Sequence, residues 1–289
     1  MRNVKWWRHD ILTYRPTRLK SQLAVFWEKA MCNKDLKNKP LVEALLELKW
    51  LLSPQEGSDL RIDPHYRLLL GRFSERIQSD YPFHEPLPTS EIPDTMGAHM
   101  AQHRFRRSKG SWPLLQIGPG LMTVNATDDY TWPDFQRRCE GAVANLFDAH
   151  PCKSELKVTD LTLRYIDAVD VDFQNESVFQ FLIDKMKTEI KLPESLFEGV
   201  NISNVPSAFN WQASFPHDIP GGFITLRFAM GQRGRNSALL WETLVQTNRD
   251  RIPEMPEGFG EWLSKAHDLT DDWFFKMIRG ELQRRFSSD

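Results

Sequence analysis

The stretch PLVEALLELKW, residues 40–50, decides how the rest of the chain is read. Val42, Ala44, Leu46, Leu48 and Trp50 alternate with Glu43, Leu45, Glu47 and Lys49. A period of two puts these sets on opposite faces of a half-buried strand. Leu, Glu and Ala are also good helix formers, so composition alone allows a helix here and the alternation is the argument for a strand.

Working outward, Asp63 and Pro64 read as the N-cap and first residue of a helix. Tyr66, Leu69, Leu70, Phe73 and Ile77 form its apolar face, and it should stop at Tyr81-Pro82. Residues 82–97 hold four prolines and read as a loop. Strands are expected near 99–107, 112–117 and 121–126, the last two joined by Gly118-Pro119-Gly120. That glycine pair has no following Lys-Ser/Thr and no helix start, so it is a hairpin turn rather than a phosphate loop. Thr131 then caps a helix with Pro133 in its first turn and Asp134 at the capping-box position. Phe135, Cys139, Ala142, Val143, Leu146 and Phe147 give its buried face, ending at His150-Pro151.

The second half repeats this order. Residues 158–173 alternate, with Leu161, Leu163, Tyr165, Val169, Val171 and Phe173 on one face and Arg164, Asp170 and Asp172 on the other. A helix follows from about Ser177 to Ile190, then a polar loop. Phe209, Trp211, Ala213 and Phe215 mark the cleanest strand. Strands near 222–230 and 237–246 are joined by the turn GQRGRN, and a single helix is expected over 258–286. Both halves therefore read strand, helix, three strands, helix. The expected fold is α+β, mostly antiparallel sheet, built from two βαβββα repeats. Residues 38–151 form one unit and 152–289 the other, packed as one globular body. By analogy of element order, such pairs adopt a TATA-binding-protein-like (TBP-like) or a helix-grip-like arrangement.

Composition narrows the class. Ten Trp and eighteen Phe in 289 residues supply large apolar side chains for a real core. Thirty-seven basic against 39 acidic residues leave no general field for a polyanion, so nucleic-acid binding must rest on a local patch. Cys32, Cys139 and Cys152 stand in no CxxC or CxxH spacing. A sparse, odd set argues against a disulfide framework and a structural zinc, and fits a reducing compartment. No apolar run reaches membrane-spanning length, and the start lacks a secretory apolar region. The expectation is a cytoplasmic protein with no cofactor. Residues 1–37 form a basic N-terminal extension. Residues 1–30 carry seven basic and two acidic residues without helical or strand period. Met31 is read as an alternative start, the other reading being an arm for nucleic acid or acidic lipid.

Several segments carry a family resemblance: PLVEALLELKW, Tyr81-Pro82, GPGLMTVNATDDYTWPDF (118–135), LRYIDAVDV (163–171) and LSKAHDLTDDWFFKMI (263–278). Over about residues 38–286 the chain resembles a sporadically distributed family of uncharacterised prokaryotic proteins. The resemblance implies no catalytic residues. Its patchy distribution implies genes that travel with mobile elements or defence systems.

Two sets of side chains are candidate sites. Arg104, Arg106, Arg107 and Lys109, interleaved with Phe105, could contact an anion or a nucleic-acid backbone, and Arg233 and Arg235 in a second hairpin could extend that surface. The bland reading is a sheet edge protected by charge. The alternative polar set is His99, His103, Arg164, Asp167 and His267. His99 and His103 would share a strand face, but two ligands do not make a zinc site, so no metal is expected. Asp167 breaks an apolar face, and a structural hydrogen bond is the expected role of so buried a carboxyl. His267, with Asp268 and Asp271 nearby, could be a general base. The leading expectation is a binding or regulatory protein using its sheet surface for a partner protein or nucleic acid. The rival is an enzyme whose site is assembled from both halves.

Overall fold

The structure is a computed structural model and describes residues 36–289 apart from 56, 58, 59, 94, 128 and 289. The basic lead through residue 35, Met31 and Cys32 lie outside the described residues.

PLVEALLELKW forms the strand its alternation demands. β1 (Leu41–Trp50) buries Ala44, Leu46, Leu48 and Trp50 and leaves Glu43, Leu45, Glu47 and Lys49 half covered. A two-stranded ribbon, β2 (Ser53–Pro54) and β3 (Arg61–Ile62), leads to α1 (Tyr66–Ile77). Next come β4 (Phe83–Pro86), β5 (His103–Arg106), β6 (Leu114–Gly118), β7 (Leu121–Ala126) and α2 (Trp132–Ala149). The chain continues through β8 (Val158–Asp170), α3 (Val178–Met186), β9 (Asn210–His217), β10 (Gly222–Arg233) and β11 (Asn236–Asn248). It closes with α4 (Phe259–Met277) and α5 (Glu281–Ser287). The fold is α+β.

Nine strands form one antiparallel sheet in the order β4-β5-β6-β7-β1-β8-β11-β10-β9. Pairing of β1 with β8, Leu46 opposite Leu163, makes it continuous across the two halves. Residues directly opposite in an antiparallel ladder share a face. Val124, Leu46, Leu163, Val245 and Ile224 therefore form one row on one face. That row belongs to the core that includes Phe73 of α1, Phe135 and Leu146 of α2 and Trp262 of α4. On the same face Val169, Leu239, Trp241 and Phe228 meet Phe181 and Leu182 of α3 and Leu282 and Phe286 of α5. Neither core includes a residue from the opposite face, which carries Asn125, Leu45, Arg164, Leu244 and Thr225.

Several local expectations are corrected. Residues 82–97 are not all loop: β4 pairs with β5, His84 opposite Phe105 and Glu85 opposite Arg104, with Pro86 ending a strand at the sheet edge where a missing N–H is tolerated. The strand expected from 99 begins only at His103. The helix expected over 177–190 is shorter, ending at Met186. The C-terminal helix breaks at Gly280 (φ +117°) into α4 and α5. The N-cap of α1 is His65 rather than Asp63. Thr131 does sit at the N-cap of α2, but its side chain makes no capping bond, and Asp134 pairs with Arg137 and Arg138 instead.

Candidate functional site

Each anticipated arginine is already engaged or stands apart. Arg104 and Arg106 share one face, as alternation requires, and both lie against Glu85, at 3.5 and 3.7 Å. Arg106 is buried, donates to the Ser111 carbonyl at 2.5 Å and sits 5.3 Å over the Trp112 ring. Arg107 and Lys109 are exposed beyond the end of β5, so Arg107 does not share a strand face with Phe105. Arg233 pairs with Asp170 at 2.9 Å, and Arg235 is exposed in the β10–β11 turn. The second hairpin does not extend the surface of the first. Arg104–Lys109 lead from the first to the second strand of the meander β5-β6-β7, whereas Arg233 and Arg235 lie between the second and third of β9-β10-β11. Five strand spacings separate them, roughly 24 Å at about 4.8 Å each.

The alternative polar set divides. His99 adopts φ +56° ahead of β5, with Nε2 3.3 Å from the Trp50 carbonyl. His103 instead meets His84, with 3.0 Å between ring nitrogens. The two expected ligands therefore share no face, because the chain turns before His103. Among the described residues no group of three or more His, Cys, Asp or Glu side chains is placed to hold a metal ion. Arg164 lies on the sheet face opposite the helices, 3.6 Å from Glu242.

Asp167 and His267 do come together. They line a pocket of about 130 Å³ between the sheet and α4, with Tyr130, Tyr165, Thr243, Asp271, Phe274 and Phe275 among its walls. β8 delivers Tyr165 and Asp167 two residues apart on the helix-covered face, and β11 sets Thr243 and Trp241 opposite them. A register shift in β1 between Leu41 and Glu43 falls beside Asp167, where such a bulge re-aims side chains. α4 brings His267 over the sheet, its ring stacked on Trp132 of α2 at 3.7 Å.

Two kinds of polar group meet here. One kind is satisfied: Tyr130 Oη lies 3.0 Å from Tyr165 Oη, which lies 3.0 Å from His267 Nδ1. The chain of three can run in either sense, and the imidazole tautomer chooses it. Burial pushes both phenols above their ordinary pKa, so they stay protonated. The other kind is not. Asp167 is 3% exposed, and no hydrogen bond reaches its carboxyl among the described residues. Burial alone raises its pKa to about 8. The structural hydrogen bond expected for Asp167 is therefore absent. Thr243 Oγ1 and Trp241 Nε1, on adjoining positions, are also buried without partners.

Thr247, two periods of the alternation beyond Thr243 on β11, shows the usual solution. Its hydroxyl donates to the Gly221 carbonyl and accepts from Trp262 Nε1 at 2.9 Å. Buried polar groups are ordinarily satisfied in this way. Three orphaned ones side by side on β8 and β11 mark a place built for something else.

Sequence reasoning found Asp167 and His267 but missed Tyr130, Thr243 and the hydroxyl of Tyr165. Thr243 carried a legible signal, being a polar residue on the apolar alternation of Trp241, Val245 and Thr247's strand face. Tyr130 carried none, because it precedes α2 in a connecting segment.

No known protein family matches the sequence, and no curated protein does. Among solved structures the chain is similar to the di-domain ARO/CYC StfQ from the steffimycin biosynthetic pathway, at 10% identity and a TM-score of 0.19, over 85% of this chain and 98% of that one. So loose a superposition carries no argument about fold or site. No described helix is long and apolar enough to cross a membrane.

Proposed function

We propose that this is a binding protein whose site is the pocket beneath α4, a small ligand or a partner's side chain being held against β8 and β11. One observation carries the reading: Asp167 is a buried, unpaired carboxyl facing a cavity, with the Thr243 hydroxyl orphaned beside it. Burying an unpaired polar group costs about 1–3 kcal/mol, so a fold that keeps it gains something in return. The strand order on either side of the β1–β8 pair supports a duplicated βαβββα plan of the TATA-binding-protein kind, with the pocket beside the seam.

The sheet face opposite the helices is the weaker candidate surface. Most of its cations face carboxylates, Arg104 and Arg106 with Glu85, Arg164 with Glu242 and Lys49 with Glu47, while Arg227 donates to Asn210 Oδ1 at 3.2 Å. So neutralised a face suits a partner protein better than a nucleic acid.

A second reading is favoured by one fact. A carboxyl held protonated to about pH 8 in the same pocket as an imidazole has the character of an acid–base pair. The test is a small-molecule screen by thermal shift on the native chain and on Thr243→Leu, which fills the pocket. Hits are expected to stabilise the native chain and not the variant. If no compound stabilises the native chain more than Thr243→Leu, the pocket reading fails. Conversion of a hit, followed by NMR, would favour the catalytic reading.

A further inference from the structure

The pocket's lining says what kind of ligand fits, an inference that rests on the pocket being a binding site. Asp167 contributes a carboxyl with no partner among the described residues; Asp271 also stands in the wall, with an interaction of its own. Around them stand the rings of Tyr130, Tyr165, His267, Phe274 and Phe275. Aromatic faces carry negative potential, so rings gathered about a carboxylate attract a cation that sheds its water. Among the described residues the one lysine or arginine in the lining is Lys39, and its ammonium is turned to the Tyr130 carbonyl at 2.7 Å.

We propose that the pocket binds an organic ammonium group, a small alkylamine or the amine end of a larger ligand, with Asp167 as its counter-ion, Thr243 accepting a second N–H and the rings enclosing the alkyl portion. The cavity, about 130 Å³, is close to the ~150 Å³ that holds a benzene ring. It therefore admits a head group of about six heavy atoms.

The charge balance gives this proposal a pH signature. Apo Asp167 is protonated below about pH 8, so an ammonium ligand must release that proton to form its ion pair. Among the described residues the other titratable or charged groups facing the site are Tyr130, Tyr165, His267, Asp271 and Lys39. The two phenols stay neutral across this range.

Butylammonium, butanol and butyrate, which differ mainly in the charge of the head group, are titrated into the full chain at pH 6.0 and 8.5. Binding is read from the indole N–H resonances of Trp132 and Trp241. Butylammonium is expected to bind at least about tenfold tighter at pH 8.5 than at 6.0, and to outbind butanol at the higher pH. Asp167→Asn should remove that advantage while leaving butanol binding intact, and the pH comparison on the native chain stands even if the variant folds poorly. Butanol or butyrate binding as tightly as butylammonium at pH 8.5 would overturn the cation assignment and leave the pocket reading standing. Failure of all three probes to shift either indole would count against the pocket itself.

Discussion

Tyr165 Oη lies 3.0 Å from His267 Nδ1, and this contact ties β8, in the middle of the sheet, to α4. The two residues are 102 positions apart. They meet because β8 runs through the middle of the sheet and α4 crosses the same face, and Trp132 stacks on the other side of the imidazole. Two residues further along β8, on the same face, Asp167 has no such partner. The contrast between a closed polar chain and an open carboxyl in one pocket drives the first prediction.

Asp167 makes stability fall with rising pH. Its pKa is about 8 in the folded chain, against an ordinary 3.8. Below about pH 4 it is protonated in both states and adds no pH dependence. Between about pH 4 and 8 the unfolded chain sheds its proton while the folded chain keeps it, so the folded state loses ground, and the loss levels off above about pH 8. Asp167→Asn should remove this slope, raising stability at pH 8 by an amount on the order of a few kcal/mol while changing it little at pH 4. Chemical denaturation of both proteins across that range measures it; parallel curves would contradict the burial of an ionisable, unpaired Asp167.

Asp63 holds the start of α1 to the central strand. Its carboxylate accepts from Trp50 Nε1 at 2.8 Å and the His65 amide at 3.0 Å, with the Gly120 amide at 3.3 Å. Asp63→Ala leaves the buried Trp50 indole N–H without an acceptor, and should destabilise the fold by about 2–4 kcal/mol. A denaturation midpoint within experimental error of the native chain would sink this account.

Two glycines should respond oppositely to alanine. Gly141 lies inside α2, and a Cβ there would meet nothing within 4 Å, so Gly141→Ala should stabilise the fold by about 0.5–1 kcal/mol. At Gly118 the same atom would lie 1.7 Å from the Met100 carbonyl oxygen, and backbone must move. Gly118→Ala should cost more than about 2 kcal/mol and lower the thermal midpoint accordingly. The pair, measured side by side by calorimetry, tests the turn between β6 and β7 and its backing by residues 99–101.

Cys139 and Cys152 are both free thiols of very different reach. Cys139 is fully buried in α2, and burial pushes its thiol well above the ordinary pKa, which leaves little thiolate to react. Cys152 is only half-buried. Iodoacetamide applied to the native protein should label Cys152 at least about tenfold faster than Cys139, as read by peptide mass. Equal rates would mean that α2 opens readily.

Alternation alone determined much of this molecule. The faces of β1 and β8, the apolar stripes of α1, α2 and α4 and the Gly118-Pro119-Gly120 hairpin are local patterns, and a period of two or of 3.6 is written in the residues themselves. Local pattern could also single out Asp167, since a carboxyl on an apolar strand face is anomalous wherever the strand packs. Pairing is different. Whether Asp167 finds a partner depends on which strand lies beside it and which helix above, and no spacing within β8 contains that information. Tertiary structure alone separated the two arginine hairpins by five strands, sent Arg164 to Glu242 on the far face and turned His99 away from His103. It also set Tyr130, Tyr165 and His267 in one chain of hydroxyls and imidazole. The physical reason is that burial follows the hydrophobic period of each segment, whereas a polar group's partner is chosen by register and crossover between segments far apart in the chain. The strand of PLVEALLELKW was legible from its own residues; the pocket beside it exists only because β8, β11 and α4 converge there.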